Sequence, residues 1–173
     1  MNHTSLFFFL LFGFVATQRL VELGIARRNT KILLARGGVE FGKKHYWVLV
    51  LLHTTFFISL LFEAVLRIPH LPSYWLPLFL LLLLAQAARV WVIYTMHGRW
   101  TTRIVVLPSE RLVNTGPFRL IAHPNYCIVA LELLLIPWLF QLYFTAILFS
   151  CLNAFVLLKI RLPEEKRALR WAD

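Results

Sequence analysis

The stretch "PNYCIVALELLLIPWLFQLYFTAILFSCLNAFVLLKI", residues 124–160, consists of two mainly apolar runs with almost no connection between them. Pro137 and Gln141 stand where the two runs meet. Each run is long enough to form a helix that is apolar on most of its surface. Because so few residues remain for a loop, the stretch predicts a tight helical hairpin rather than two independent spans.

The composition of the whole chain indicates the environment of this hairpin. The chain has 173 residues, of which 60% are hydrophobic, and its mean hydropathy is +0.71. Soluble domains are nearer to half apolar, and their apolar residues are not gathered in long runs. The sequence therefore predicts an all-α integral membrane bundle, and its length predicts one domain over residues 1–173.

Five apolar segments are candidate membrane spans, since about 20 mainly apolar residues cross a bilayer as a helix. They are residues 4–26, 46–66, 75–96, 125–140 and 142–160. The fourth is short for a full span and forms the hairpin with the fifth. Gly37 and Gly38 mark a turn in the connection after the first span.

The net charge of +10 follows from the polar connections rather than from the spans. Nearly all Lys and Arg residues lie in residues 27–45, 97–124 and the tail from residue 161. Basic connections stay on the cytoplasmic side of a membrane, so the N-terminus is predicted outside and the C-terminus in the cytoplasm. Anionic lipids are then the expected partners of these charges, and nucleic acid is not.

Several polar residues lie inside the apolar spans, where a charge costs about 2.5–3.5 kcal/mol. Arg89 and Gln86 lie on one face of the third span, and Glu132 lies in the fourth. Two interpretations stay open: an ion pair between Arg89 and Glu132 that joins helices, or a polar pocket for the head group of a substrate. Arg19 and Glu22, near the end of the first span, fit snorkelling to the interface. Glu63 receives no role.

The start of the fourth helix is a second candidate site. His123 precedes a proline and is therefore kept out of helical geometry, while Pro124 suits the first helical position. Tyr126 then falls in the first turn, where free N–H groups and the positive end of the helix dipole favour an anion. His123 also fits a plain helix cap. A metal site is not expected, because no second ligand stands at a useful spacing.

The tail "KIRLPEEKRALRW", residues 159–171, places Glu164 and Glu165 before a basic segment. Acidic residues in a first helical turn, followed by basic residues, are ordinary matching of the helix dipole. The tail alone therefore leaves open whether the two glutamates have a function beyond helix stability.

Together, these segments resemble the isoprenylcysteine carboxyl methyltransferase family of integral membrane methyltransferases. The matching motifs are "GPFRLIAHPNY", residues 116–126, and "RLPEEKRAL", residues 161–169, on either side of the hairpin. The resemblance is concentrated in residues 97–170. Two positions depart from the family pattern: Ala122 replaces an arginine, and Pro163 is an extra residue before the glutamates.

The resemblance implies a multi-pass membrane enzyme with S-adenosylmethionine as the methyl donor. The first three spans, with "QRLVEL" and "WTTRI", resemble bacterial members that act on alkylpyrone-like polyketides, which implies a bacterial cell membrane. The expected donor site comprises Gly116, Pro117, Arg119, His123, Pro124, Tyr126, Glu164 and Glu165. The donor's carboxylate suits the helix start at His123, and its ammonium suits Glu165 or Glu164.

The expected acceptor is a lipophilic small molecule that enters from the bilayer. A carboxylate acceptor needs no base, whereas a phenol or enol needs one, and His97 and Glu132 are the candidates. Arg89, Arg99 and Arg103 are the candidates to orient an anionic acceptor. Arg89, His97 and Glu132 are thus the predicted catalytic residues.

The leading hypothesis is an O-methyltransferase for a lipophilic carboxylate or hydroxyl. The first alternative is N-methylation of an amino-lipid, which would require more acid than arginine in the pocket. A second is a small non-enzymatic membrane protein, which would bind no cofactor and tolerate His123→Ala. A reductase would need a nicotinamide fingerprint, and none is visible. The sequence does not indicate an oligomeric state.

Overall fold

A computed structural model of the chain describes residues 2–108, 110 and 112–172. The helices and strands are α1 (His3–Ala35), β1 (Val39–Phe41), α2 (Tyr46–Arg67), α3 (Trp75–Met96), β2 (Ile104–Val106), α4 (Pro124–Leu139), α5 (Tyr143–Val156) and α6 (Leu162–Ala172). Short 3-10 helices cover Lys43–His45, His97–Arg99 and Gly116–Arg119, and a π-helical turn covers Leu157–Arg161. The predicted helical bundle is confirmed.

The helices fit a membrane in length and in surface. Four helical stretches are long and apolar enough to cross a bilayer, and α4 is a shorter apolar helix. Many large apolar side chains lie on the outer surface of the bundle, among them Leu84 and Leu158, which are 67% and 63% exposed. Such a surface fits contact with lipid and not with water. The chain is accordingly a multi-pass membrane protein.

The first helix continues well beyond the predicted end at residue 26. It reaches Ala35 and has 33 residues, or about 50 Å at 1.5 Å per residue. Gly37, with a φ of +88°, ends it, and the Gly38 N–H donates to the Leu33 carbonyl at 2.9 Å. The sequence analysis ended the span where the apolar residues end. The extension was missed because a helix can continue outside the bilayer with basic residues on its surface.

The hairpin of α4 and α5 turns within three residues. Leu142 donates its N–H to the Pro137 carbonyl at 2.9 Å, and Gln141 adopts a left-handed φ of +58°. Glu63, at the end of α2, accepts N–H groups from Phe144 and Thr145, at 3.2 and 2.8 Å. This glutamate, which the sequence analysis left without a role, therefore caps the first turn of α5 from a neighbouring helix.

The helix after the hairpin does not end at residue 160. The π-helical turn carries α5 directly into α6, with Leu162 donating its N–H to the carbonyl of Leu157, five residues earlier. A π-turn holds one more residue than an α-turn. The residues of α6 therefore point in other directions than they would if the α-helix continued without it. Pro163 follows the turn inside α6, where its missing N–H is tolerated in the altered hydrogen-bond pattern.

The basic connections gather at one end of the bundle, called here the basic end. There β1 and β2 pair antiparallel, with Glu40 opposite Val105, and α6 packs against both strands. Phe41 and Trp171 bring their rings to 5.4 Å. This small sheet was not predicted, since each strand has only three residues and its partner lies 65 residues away in sequence.

Two apolar clusters fill the interior at different depths. The larger one lies toward the end of the bundle opposite the basic end and includes Phe8, whose ring meets that of Phe140 edge-on at 5.1 Å. The smaller one lies toward the basic end and includes Ala26, Val92 and Ile128. On α1 and α4 the charged residues of the interior stand between the residues of these two clusters, whereas on α3 Arg89 lies among residues of the smaller one.

Candidate active site

Four side chains from two segments meet where α4 begins; they are called here the mouth site and comprise His123, Tyr126, Arg161 and Glu165. Helix α4 starts at Pro124, as expected. The His123 side chain makes no capping bond and instead stacks on Tyr126, with ring centroids 5.2 Å apart. Its Nδ1 lies 3.7 Å from a carboxylate oxygen of Glu165. The hairpin and the π-turn thus bring two distant sequence motifs together.

The hydroxyl of Tyr126 organises the mouth site. It donates a short hydrogen bond to Glu165 and accepts one from Nε of Arg161 at 3.0 Å. Arg161 was not among the predicted site residues. Its signal was available, because it stands four residues before Glu165 and therefore on the same face of a helix.

The two glutamates of the tail face different neighbours. Glu165 joins the mouth site, whereas Glu164 lies beside the turn at Gly42, where an added Cβ would stand 3.6 Å from Cβ and Cγ of Glu164. Glu164 is therefore placed against the loop before α2. The motif alone did not distinguish the two glutamates.

A short 3-10 helix that packs against α3 contains Gly116, Pro117 and Arg119. Gly116 has a φ of +54°, and a Cβ there would stand 2.8 Å from Oγ1 of Thr95, so only glycine allows this approach. Pro117 is buried. Arg119 is exposed, and its side chain forms no hydrogen bond or ion pair with the residues that the structure describes. Among the described residues, none of these three forms a side-chain hydrogen bond or ion pair with the mouth site.

One polar atom at the start of α4 has no partner among the described residues. Oδ1 of Asn125 is buried and accepts no hydrogen bond. A buried acceptor without a donor is unfavourable by about 1–3 kcal/mol. This atom is enclosed, so it does not open onto the mouth site. The charged groups of the mouth site are the carboxylate of Glu165, which suits an ammonium group, and the guanidinium of Arg161, which suits a carboxylate, so they fit the amino-acid end of S-adenosylmethionine.

Deeper in the bundle, a buried charge network joins α1, α3 and α4; it consists of Arg19, Glu22, Arg89 and Glu132, with Gln18 and Gln86 attached. Glu132 accepts from Nη2 of Arg19 at 2.9 Å, from Gln86 at 2.8 Å, and twice from Arg89. Two arginines and two glutamates leave the network without net charge. The expected ion pair between Arg89 and Glu132 is present.

The network also includes the residues expected to snorkel. Nη1 of Arg19 donates to Glu22 at 2.6 Å, and Nη1 of Arg89 donates to the same carboxylate at 3.3 Å. Glu22 is buried, so the prediction that Arg19 and Glu22 reach toward the interface is wrong. Opposite charges from α3 and α4 lie within reach, and pairing there avoids an isolated charge in the membrane.

A cavity of about 30 Å³ adjoins the network between four helices. Its polar wall consists of Arg19, His53, Arg89 and Glu132, and apolar residues of α1, α2 and α4 form the remainder. His53 was not predicted as a site residue, because an isolated histidine in an apolar span gives no pattern. The network is therefore both a link between helices and the wall of a polar pocket.

The mouth site and the cavity share one face of α4. Tyr126, Val129, Leu133 and Ile136 follow one another at spacings of three and four, and the last three line the cavity. Tyr126 and Glu132 are six residues apart, or about 9 Å along the axis. A molecule at the mouth site thus lies roughly one and a half turns above a molecule in the cavity.

Other candidates from the sequence lie outside both places. His97 ends α3 with a φ of +47°, is exposed, and packs edge-on against Tyr94. Arg103 pairs with Glu40 at 2.6 Å and lies over the ring of Tyr46. Arg99 lies 3.3 Å from Glu110. Among the described residues, neither His97 nor Arg103 forms a hydrogen bond or an ion pair with Arg89 or Glu132.

Comparison with known proteins adds a family and two relatives. The model of the isoprenylcysteine carboxyl methyltransferase family matches residues 77–171. The chain is 40% identical to uncharacterized protein YpbQ of Bacillus subtilis, over 94% of this chain and 96% of that protein. It is 27% identical to an uncharacterized protein of Haemophilus influenzae, over 95% of each. No solved structure matches the chain significantly.

Proposed function

Because this chain belongs to the isoprenylcysteine carboxyl methyltransferase family, we propose that it transfers a methyl group from S-adenosylmethionine to an oxygen of a lipophilic acceptor. The family is a family of membrane methyltransferases. The donor supplies an electrophilic methyl group. The protein therefore has to bind the two reactants, orient them and exclude water from the site. We propose that residues 1–173 do this as one domain.

The observation that carries the proposal is the position of Glu165 at the start of α4. Its carboxylate is held by the Tyr126 hydroxyl and faces His123, with Arg161 as the next neighbour. Glu165 suits an ammonium, and Arg161 and the helix start suit a carboxylate. These groups stand at the basic end, which water-soluble molecules reach from the cytoplasm if that end faces inward.

The acceptor side is proposed to be the cavity beside the buried charge network. Its polar side suits the polar group of such an acceptor, and its volume of about 30 Å³ admits that group alone, so the hydrocarbon body would stay toward the bilayer. Such an acceptor reaches the cavity sideways from the bilayer. An amine acceptor is disfavoured, because both carboxylates of the network already accept several bonds from arginine.

Calorimetry in detergent tests the donor site. We expect the wild type to bind S-adenosylmethionine, and Glu165→Gln to weaken its Kd at least about tenfold, since a charge-assisted hydrogen bond contributes about 1.5–3 kcal/mol. Glu164→Gln is the matched control and should stay within about threefold. His123→Ala should also weaken binding.

Absence of binding to the wild type would contradict the proposal and favour a non-enzymatic protein. Equal effects of Glu164→Gln and Glu165→Gln would contradict the mouth site as described.

A further inference from the structure

His53 is a titratable side chain of the cavity that the proposed function has not used. It lies in α2, seven residues from its start, and lines the cavity with Arg19, Arg89 and Glu132. Its Nδ1 lies 2.8 Å from the carbonyl oxygen of Leu49. A carbonyl only accepts hydrogen bonds, so Nδ1 carries the proton of this bond. In the neutral ring, Nε2 is then an acceptor with a free lone pair.

Nε2 of His53 has no partner among the residues that the structure describes. The atom is not fully enclosed by protein, so part of its surface faces open space. The open space beside this side chain is the cavity. A base that is fixed in one tautomer and faces an open volume is arranged to take a proton from a molecule bound there.

The two bases expected from the sequence are less suited to this task. Glu132 already accepts four hydrogen bonds, three of them from arginine, so its lone pairs are engaged within the network. His97 is exposed at the end of α3, eight residues or about 12 Å along the axis from Arg89. Neither has a lone pair that is free and directed into the cavity.

Arg19 supplies the matching group for a developing anion. Arg89 uses Nε, Nη1 and Nη2 in bonds to Glu22 and Glu132, and its side chain is only 3% exposed. Arg19 uses Nη1 and Nη2 once each, and its side chain is 20% exposed. Nε of Arg19 therefore remains available on the cavity wall.

We propose that the acceptor presents a hydroxyl group, that Nε2 of His53 removes its proton, and that Arg19 stabilises the oxygen. This inference rests on the proposed function. The O–H bond breaks and its proton goes to Nε2. The oxygen lone pair forms the new bond to the methyl carbon while the carbon–sulfur bond breaks and leaves its electron pair on sulfur. His53 returns its proton to water as the product leaves. The hydrocarbon part of the acceptor stays toward the bilayer, outside this small cavity.

Two acceptors that differ only in acidity test the role of His53. Purified full-length protein receives S-adenosylmethionine with a labelled methyl group, and either a long-chain alkylphenol or its ring-nitrated analogue, which ionises without help near neutral pH. We expect the wild type to methylate both. His53→Gln should lower kcat on the alkylphenol by about 100-fold or more and stay within about threefold on the nitrophenol.

His70→Gln is the matched control. His70 also contacts a backbone carbonyl, that of Ile68 at 2.6 Å, but it is exposed in the connection between α2 and α3. It should leave both rates unchanged. The affinity for S-adenosylmethionine should be the same in both variants, and binding at that affinity shows that they fold. If His53→Gln does not fold, His53→Asn takes its place.

Equal losses of His53→Gln on both phenols, or no loss on either, would overturn the assignment of His53 as the base. A wild type that methylates the lipophilic carboxylate N-acetyl-farnesylcysteine but neither phenol would overturn the hydroxyl acceptor and leave the proposed function intact. A wild type that binds no S-adenosylmethionine would instead remove the proposed function.

Discussion

At the scale of single residues, the buried charge network shows how charged side chains persist inside a membrane protein. Each carboxylate accepts several bonds: Glu132 accepts four and Glu22 accepts three. The arginines reach them from different helices, so the pairing also joins α1 to α3 and α4. An isolated charge would be unfavourable there, but a neutral, hydrogen-bonded set is tolerated.

Removing one charge should therefore destabilise the bundle more than removing a pair. We expect Glu132→Gln to lower the free energy of unfolding by about 3–5 kcal/mol, because Arg89 keeps a buried charge with one carboxylate fewer. Thermal unfolding in detergent measures this change. Glu110→Gln is the control, since its partners Arg36 and Arg99 are 54% and 34% exposed, and it should cost about 1 kcal/mol or less.

The double variant Arg89→Met with Glu132→Leu should be more stable than Glu132→Gln alone, because it leaves Arg19 and Glu22 as a neutral pair. A double variant that is the less stable of the two would contradict this account of the network.

At the scale of elements, the π-turn at Leu157–Arg161 decides which face of α6 meets α4. One residue changes direction by about 100° around an α-helix, so the register of this turn determines whether Glu165 or Glu164 reaches Tyr126. The motif alone does not reveal this choice. Pro163 is accommodated directly after the turn, which gives a structural context for this departure from the family pattern.

Changing the number of residues in this turn tests whether the rotational position of α6 controls binding of S-adenosylmethionine. Deleting Leu158, a residue that is 63% exposed, should convert the π-turn to an α-turn and keep Glu165 facing Tyr126, with the Kd for S-adenosylmethionine within about threefold. Inserting one alanine after Leu158 should rotate α6 and weaken binding at least about tenfold. Calorimetry distinguishes the two, and an insertion that binds as well as the wild type would contradict the role of the register.

At the scale of the whole molecule, the bundle has one basic end and one end with much less basic charge, where Arg67 ends α2. Residues 27–45, 97–124 and α6 come together at the first, and the connection between α2 and α3 lies at the second. The mouth site lies at the basic end. The predicted orientation, with the C-terminus in the cytoplasm, follows from the positive-inside rule and is what the proposed function requires.

Cysteine labelling in intact cells tests this orientation. In a background of Cys127→Ser and Cys151→Ser, Ser73→Cys should react with a maleimide that does not cross membranes, and Lys44→Cys should react only after lysis. Both positions are exposed at opposite ends of α2 and its connections. The opposite pattern would place the basic end outside and contradict the cytoplasmic access of the donor.

The sequence by itself determined the all-α membrane bundle, the hairpin and the helix start at Pro124, because apolar run length and proline geometry act locally. It left the ion pair of Arg89 with Glu132 as one of two interpretations, and the structure contains that pair. The single domain, the orientation and the roles of the predicted site residues stay predictions. Only the tertiary structure decided that α1 continues to Ala35, that Arg19 and Glu22 pair inside, that Arg161 and Glu165 reach Tyr126, and that His53 faces a cavity. Those facts depend on which helix faces meet, and a face becomes specific only when its neighbours are in place.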